Sequence, residues 1–493
     1  MLSRTSTFCA TLVLLIAAGS TQAQATDSLK QAAQKAVSTS PEVSARFNAY
    51  RAAVDAMDVG RAGWRPRVDL NANVGRDSDR IGNRNPASDS LSRGAVGLSL
   101  TQLLWDGLST TREISRLDHE RLTRYFELLD ATEQVALEAA RAQIDVQRFR
   151  RLVGLAEDNY VQHRYAFTQI QSRVKAGVGR GVDLEQAGAR VALAESNLTT
   201  EVANLHDVTA RHQRIVGEAP AKTLTGLPML AQAVPATAAE AMGAALRQSP
   251  AISASVENLR SARAAATARE SAYQPRVEAR LRTAAGHNVD GVREQSRNSS
   301  AEIVLNWNLY NGGADQARVR QGANLVNQAT DQRDRACRDV RQTAQIAYND
   351  TRKLTEQLVY LERNTLAIEK ARDAYRQQFD IGQRSLLDLL NAENELYTAR
   401  RAYANAEHDL ALAYVRTHAA LNQLGAQLGL TQPENAANEA AGWAAGDDGP
   451  GRCPLEPAEV ATTDRAELDA RAARMSANAP TPPAPSPAPA RKP

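Results

Sequence analysis

The chain has few of the residues that build a thick globular core. Only 4% of its 493 residues are aromatic and only 3 are cysteine, whereas 43% are hydrophobic, with Ala, Leu and Val prominent among them. Few aromatic side chains and many Ala and Leu residues favour long amphipathic helices. We therefore do not expect the roughly three globular domains that the length alone would suggest.

Blocks of like charge and long apolar runs are also missing. The 59 Lys and Arg residues nearly balance the 56 Asp and Glu residues, and the two signs are mixed along the chain. A basic stripe that could follow nucleic acid is therefore absent, and we expect no nucleic-acid partner. After the N-terminal segment, no stretch reaches the roughly 18 to 20 apolar residues of a membrane helix. If this protein lies in a membrane, strands must cross it.

The sequence contains no nucleophile elbow, Walker loop or His and Cys spacing that would hold zinc. The glycine cluster at 177–181 follows a helical stretch, which indicates a turn rather than a phosphate loop. Cys337 and Cys453 have no metal-ligand spacing and are predicted to be free thiols. We expect neither an enzyme nor a metal or cofactor site.

The N-terminus has the layout of a cleavable secretory signal. Arg4 precedes an apolar run at 10–19, and small residues flank a cleavage site at 23–25. The mature chain is expected to begin near residue 26. Cys9 precedes the apolar run, whereas a lipoprotein acceptor cysteine follows it, so acylation is not expected.

The rest of the chain repeats one pattern. Ser40-Pro41 recurs as Ser249-Pro250, 209 residues later, and Asp183-Leu184 recurs as Asp388-Leu389, 205 residues later. A nearly fixed offset predicts an internal structural repeat. The predicted segments are a signal peptide (1–25), a first repeat of helix, β-hairpin and long helical hairpin (26–217), a linker (218–236), a second repeat (237–432) and a disordered Pro/Ala-rich tail (433–493).

Each repeat contains two alternating segments that predict a β-hairpin, at 67–74 with 96–101 and at 276–282 with 303–310. Four strands leave two open edges, which hydrocarbon does not tolerate, and the smallest membrane barrels have about eight strands. The strands must therefore be shared with copies of the chain, or they do not lie in a membrane. A soluble strand with one solvated face alternates in the same way.

Long segments without proline follow each hairpin, at 107–177 and 313–380. A continuous helix over either segment would be on the order of 100 Å long. Each ends at a glycine-containing turn and is followed by a second helical segment, which predicts two antiparallel helical hairpins.

With these features in this order, the chain resembles the TolC family of outer-membrane channel-tunnels. The residues that carry the resemblance include 100–107 and above all 379–392. The resemblance implies an α+β membrane protein in which a homotrimer forms a twelve-stranded β-barrel in outer-membrane lipid, four strands from each chain. A twelve-helix α-barrel would continue this channel into the periplasm.

The resemblance also implies a function and partners. We expect the outer-membrane exit duct of a tripartite system, working with a periplasmic adaptor (membrane fusion) protein and an inner-membrane ABC transporter or other pump. Type I protein secretion is favoured, because many efflux members of the family are lipoproteins. An efflux pump channel is the alternative, and a periplasmic coiled-coil adaptor or scaffold is an alternative of another class.

In the family, acidic residues and a network that includes an arginine constrict the periplasmic entrance. The matching positions here are Asp183, Phe379, Arg384, Asp388 and Asn391. Asp388 is expected to line the entrance and Arg384 to tether neighbouring helices. Asp183 and Asp388 also lie where acidic residues cap or stabilise the start of a helix. Helix capping therefore stays open as an alternative interpretation to a role in the gate.

Alternation of polar and apolar side chains suggests which residues face the barrel lumen. Val68, Leu70, Leu305 and Trp307 would face lipid. The residues expected to face water are Arg67, Asp69, Arg276, Glu278, Arg280, Arg282, Asn306 and Asn308.

Overall fold

The structure is a computed structural model that describes residues 17–80, 88–224, 226–227, 230–289, 294–431, 440–459 and 462–477. The predicted signal sequence lies largely outside these residues.

The chain divides into two units, Met1–Leu455 and Glu456–Pro493. The second unit contains a single described helix, α10 (Arg465–Ala477). The first unit contains, in chain order, α1 (Ala17–Thr39), α2 (Pro41–Ala62), β1 (Arg67–Arg80), β2 (Ser88–Trp105), α3 (Ser109–Lys175), α4 (Gly181–Val216), α5 (Ala238–Gln248), α6 (Pro250–Arg269), β3 (Arg276–His287), β4 (Gln295–Asn306), α7 (Ala314–Asp380), α8 (Leu386–Ala420) and α9 (Leu424–Gln427).

The element order repeats within the first unit. Helix α2, strands β1 and β2, and helices α3 and α4 have the same order as α6, β3, β4, α7 and α8. The two Ser-Pro pairs explain how each copy begins. Ser40 accepts a hydrogen bond from the backbone N–H of Glu42 (3.2 Å), and Ser249 accepts one from Ile252 (3.4 Å). Proline occupies the first helical position in both copies, where its missing N–H costs nothing.

The four strands form one antiparallel sheet in the order β1-β2-β3-β4. Val68 pairs with Leu100, and Leu100 pairs with Leu281, so aliphatic residues form a row across one face. Arg67 pairs with Thr101, and Thr101 pairs with Arg280, which places a polar row on the other face. The sheet therefore has one apolar and one polar face, as the alternation predicts.

Strand lengths differ from the expectation in both directions. β1 and β2 pair from Arg67 with Thr101 out to Arg80 with Ser88, well beyond the predicted strand segments 67–74 and 96–101. Residues of this extension are mostly polar on both faces, so alternation of hydrophobicity does not identify them as strand. β4 ends at Asn306, whereas alternation predicts a strand up to Tyr310.

Helices α3 and α7 each contain 67 residues, which corresponds to a length of about 100 Å. Each is paired with a shorter antiparallel helix, α4 or α8. The turns between them require a left-handed residue, and glycine occupies it in both copies, with φ of 75° at Gly177 and 78° at Gly382. These turns are the tips of the two hairpins.

An extended hydrophobic cluster lies where α1, α2, α3, α4, α8 and α9 meet. Much of it is alanine, whose small side chain lets helix backbones approach closely. Fully buried members include Leu29, Ala33, Leu128, Ile144, Ala411, Val415 and Leu424. No described helix is long and apolar enough to cross a membrane.

The C-terminal region departs furthest from the expectation. Residues 440–455, named here the C-terminal strap, lie against α3, α6 and α7, and Cys453 forms a disulfide with Cys337 of α7. The prediction of two free thiols is therefore wrong, because a separation of 116 residues gives no sign of proximity in the fold. Disorder, predicted from residue 433 onward, does not extend to the strap.

Candidate functional site

The apolar face of the sheet is exposed to an unusual degree. Val74 is 90% exposed, Ile303 73% and Leu70 70%, and the row continues through Val68, Val96, Leu98, Leu281 and Leu305. A contiguous aliphatic surface of this kind requires an apolar environment. Trp307, expected to face lipid within a strand, instead follows β4, where its indole N–H donates to the carbonyl of Tyr273 (3.2 Å).

Charged residues on the opposite face are paired with one another. Glu278 accepts hydrogen bonds from Arg276 (2.6 Å) and Arg280 (2.8 Å), and Arg67 donates to Asp69 (2.8 Å). Arg282 and Asn306 lie on the same face by register, with Arg282 near Glu302. Asn308 follows the end of β4 and does not belong to this face. A lumen lined by this face stays a prediction.

At the first tip, the carboxylate of Asp183 is held by its own turn. Arg180 precedes α4 and donates to both oxygens of Asp183, at 3.2 and 3.1 Å. Asp183 lies in the first turn of α4, where a negative charge also interacts favourably with the helix dipole. Both interactions neutralise this carboxylate locally.

At the second tip, Ser385 caps α8. Its hydroxyl accepts from the backbone N–H of Asp388 (3.3 Å) and donates to the Asp388 carboxylate (2.9 Å). The capping interpretation is therefore correct for Ser385 and Asp388. The side chain of Asp388 is still 39% exposed, and the ion pair between its carboxylate and Arg384 is long, at 3.6 Å. Arg384 also donates to Gln378 (3.0 Å) and lies over the ring of Tyr375, which links α7 to α8.

Two contacts join the first hairpin to the second at this level. Arg190 of α4 donates to the side-chain oxygen of Asn391 on α8 (2.8 Å). The guanidinium of Arg173, at the end of α3, lies 5.0 Å from the ring centre of Phe379. The ring also packs in an apolar cluster with Ile170, Ala187, Leu386 and Leu390. Phe379 therefore contacts Arg173 through the face of its ring and contacts the apolar cluster at the same time.

Sequence reasoning identified Phe379 and Asn391 but missed their partners Arg173 and Arg190. Further contacts of this kind lie higher in the hairpins, where Arg376 bridges Gln162 (2.5 Å) and Glu393 (3.1 Å). The buried Glu201 of α4 pairs with Arg401 of α8 (2.6 Å). The contacts of Arg376 with Gln162 and of Glu201 with Arg401 join residues about 200 positions apart in sequence, so no local pattern reveals them.

His163 on α3 adds a titratable group to this region. It is only 2% exposed, and its Nδ1 atom has no hydrogen-bond partner among the described residues. Burial, together with the positive charge of Arg190, lowers the pKa of His163 to about 4. The ring is therefore neutral at neutral pH, and its protonation would place a second cation near Arg190.

The model of one protein family, described as outer membrane efflux protein, matches residues 21–217 and 241–423. These segments cover well over half of the chain and include both repeats. The chain belongs to the outer membrane efflux protein family. It is 27% identical over 408 residues to outer membrane efflux protein BepC of Brucella suis, covering 79% of this chain and 86% of BepC. It is 22% identical over 398 residues to outer membrane protein TolC of Vibrio cholerae, covering 76% and 86%.

Solved structures of outer-membrane channels share the fold. The Campylobacter jejuni CmeC channel superposes with a TM-score of 0.72 at 13% identity, covering 86% of this chain and 90% of CmeC. The outer-membrane channel OprN superposes with a TM-score of 0.71 at 21% identity, covering 80% of this chain and 90% of OprN. These likenesses, with the four-stranded sheet and the paired long helices, confirm the predicted channel-tunnel fold.

Membership of the outer membrane efflux protein family explains both faces of the sheet. Channels of this family are homotrimers, so the four strands of one chain complete a closed barrel with those of two copies, and we expect the exposed aliphatic face to contact lipid. The family is located in the outer membrane with a periplasmic extension, as predicted. It is a family of channels rather than enzymes, which also favours the channel over the adaptor alternative. The Cys337–Cys453 disulfide fits the oxidising periplasm.

Proposed function

We propose that this member of the family is the exit duct of a type I protein secretion system, gated where its two helical hairpins meet at the tips. The observation that carries the gate is the pair of contacts between hairpins, Arg190 with Asn391 and Arg173 with Phe379. Both would have to break for the hairpins of one chain to move apart. Arg384 contributes a different link, between α7 and α8 of the second hairpin.

Asp388 is the residue that we propose as the ion filter at the entrance. In a homotrimer, three Asp388 carboxylates would surround the axis, repel one another and attract cations. Asp183 is less suited to this role, because Arg180 neutralises it in the same turn. Asn391 carries no charge and is engaged by Arg190, so we propose one acidic ring rather than two.

Type I secretion is supported by the polar character of the helical region. A cleft of about 620 Å³ between α2, α3 and α6 is lined by charged and polar groups such as Arg46, Arg116, Glu120, Glu127 and Asp130. If this cleft faces the tunnel, such a lining suits a hydrated polypeptide better than an apolar drug. Drug efflux is the second candidate, favoured by the name of the relative BepC, an outer membrane efflux protein.

A deletion strain distinguishes the two cargoes. For type I secretion, loss of this gene removes one or more polypeptides from the culture medium and leaves drug susceptibility unchanged, and the wild-type gene restores export. For drug efflux, susceptibility to several drugs rises and the secreted proteins stay the same. The second result would contradict the proposed cargo, whereas the outer-membrane channel itself would stand.

A further inference from the structure

The C-terminal strap, residues 440–455, completes a charge network that joins the two repeats. Glu257 of α6 is 0% exposed, and its carboxylate accepts from Trp443 of the strap (2.7 Å) and from Arg260 (2.7 Å). It also contacts His119 of α3 at 2.7 Å. Burial by itself raises the pKa of Glu257, but these hydrogen bonds outweigh burial and lower it. One of the three partners of a fully buried carboxylate therefore comes from the strap.

The same indole packs on the first repeat. The ring of Trp443 lies edge-on to Phe126 of α3, with 4.9 Å between ring centres, and Phe126 packs in turn at a tilt against Tyr125. Trp443 thus touches a helix of the first repeat and binds a carboxylate of the second. Removing it would expose an aromatic cluster and leave Glu257 short of a donor.

Two more carboxylates fix the strap to α6 and α7. Asp448 accepts from Arg260 (2.7 Å) and pairs with Arg263, and its carbonyl accepts from Arg333 of α7 (2.9 Å). Asp334 of α7, which is 3% exposed, accepts from Arg452 (2.8 Å) and from the backbone N–H of Gly451 (3.2 Å). Without the strap, the positive charges on α6 would lose Asp448, and a buried carboxylate on α7 would lose two donors.

The disulfide lies beside this network and adds a covalent bond between the strap and α7. It joins Cys337, which is 2% exposed, to Cys453, next to Arg452. We propose that the strap is a covalent clasp which locks α3, α6 and α7 together, and that closing it depends on thiol oxidation. In that reaction the two thiols lose two protons and two electrons as the S–S bond forms. A disulfide-bearing oxidant of the periplasm accepts the electrons and becomes a dithiol. The clasp does not depend on the cargo proposed above.

Reduction of the assembled protein tests the clasp without refolding. The detergent-purified full-length trimer is compared with and without dithiothreitol by hydrogen exchange read by mass spectrometry. Reduction is expected to speed exchange in residues 440–455 by about 30-fold or more, on the scale of typical disulfide stabilisation. The segment 131–146 of α3 is the internal reference and stays unchanged. Equal exchange in the strap before and after complete reduction would overturn the proposal.

Variants separate the covalent from the ionic part. Cys337→Ser with Cys453→Ser should make strap exchange equal to that of the reduced wild type. Trp443→Phe keeps a smaller aromatic ring but removes the hydrogen bond to Glu257, so exchange in the strap should rise even with the disulfide intact. If the double variant fails to assemble, non-reducing peptide mapping of the wild type decides. A linked Cys337–Cys453 peptide supports the clasp, whereas two free thiols in protein from the periplasm contradict it.

Discussion

At the level of single residues, Arg190 has two roles near the tips. It donates to Asn391 across the two hairpins, and its charge opposes protonation of the buried His163. A hydrogen bond to a charged group contributes about 1.5–3 kcal/mol. In a trimer, three such bonds would favour the closed arrangement.

Asn391→Ala is therefore expected to open the tips. Single-channel conductance should rise several-fold, because each chain loses the hydrogen bond between Arg190 and Asn391 that joins its hairpins near the tips. Arg190→Ala should have a similar effect, and the double variant should add little to either single change. Arg180→Ala is the control, since Arg180 pairs with Asp183 of its own tip. A conductance that stays at the wild-type value in Asn391→Ala would remove this bond from the gate.

His163 should make tip packing sensitive to acid. Its folded pKa of about 4 lies below the ordinary value of 6.5, so the unfolded state binds the proton more readily. The free energy of unfolding is therefore unaffected by His163 above about pH 6.5. It falls as the pH decreases toward 4, with a loss of about 2 kcal/mol by pH 5. Trypsin cleavage at the tips, measured relative to cleavage of an unstructured peptide at the same pH, should accelerate from pH 7 to pH 5, and less so in His163→Gln. The pKa values of His212, His408 and His418 are also lowered by burial, so the variant should keep part of the effect. Identical pH profiles would contradict this role.

How much of the tip was predictable depends on how local each contact is. Ser385 and Asp388 lie three residues apart, and the sequence predicts their cap. Arg190 and Asn391 are 201 residues apart on different helices, and their meeting depends on how the hairpins are rotated and aligned. Residue types at a tip can therefore be predicted, but partners across hairpins cannot.

At the level of elements, the sheet makes a prediction about lipid contact. Ile303 is 73% exposed on the apolar face, whereas Ser300 lies on the polar face opposite Arg282. Ile303→Arg should reduce the yield of membrane-inserted trimer, since an arginine on a lipid-facing strand costs up to about 2–4 kcal/mol. Ser300→Arg is the matched control and should insert normally. If both variants insert equally well, this face does not contact lipid.

Long elements were predicted best and the C-terminal strap worst. Two features predict α3 and α7 almost to their ends: the segments contain no proline, and a glycine is present at the turn that follows each helix. Strand ends were missed because polar residues continue the β1–β2 ladder on both faces. The strap was missed because the composition of residues 433–493 is dominated by the Pro/Ala-rich end of the chain, and this composition predicts disorder. Its anchors, Trp443, Asp448 and Cys453, are single residues whose partners lie more than 100 residues away.

At the level of the whole molecule, one chain has a sheet with two edges and an exposed aliphatic face, and only the family's trimer closes it. The proposed acidic ring would consist of one Asp388 carboxylate from each of the three chains. The central claim is that the protein is a channel with Asp388 as its cation filter. Asp388→Asn removes the charge but keeps an oxygen that the Ser385 hydroxyl can donate to. Ser385→Ala removes the cap, at a cost of about 1 kcal/mol, but keeps the charge.

The most direct measurement is the ion selectivity of the purified trimers in planar bilayers. We predict a cation-selective conductance for the wild type, a strong loss of selectivity in Asp388→Asn, and selectivity close to wild type in Ser385→Ala. Cation selectivity that survives in Asp388→Asn would contradict the filter. Folded trimers that never conduct, even with Asn391→Ala to open the tips, would contradict the channel itself.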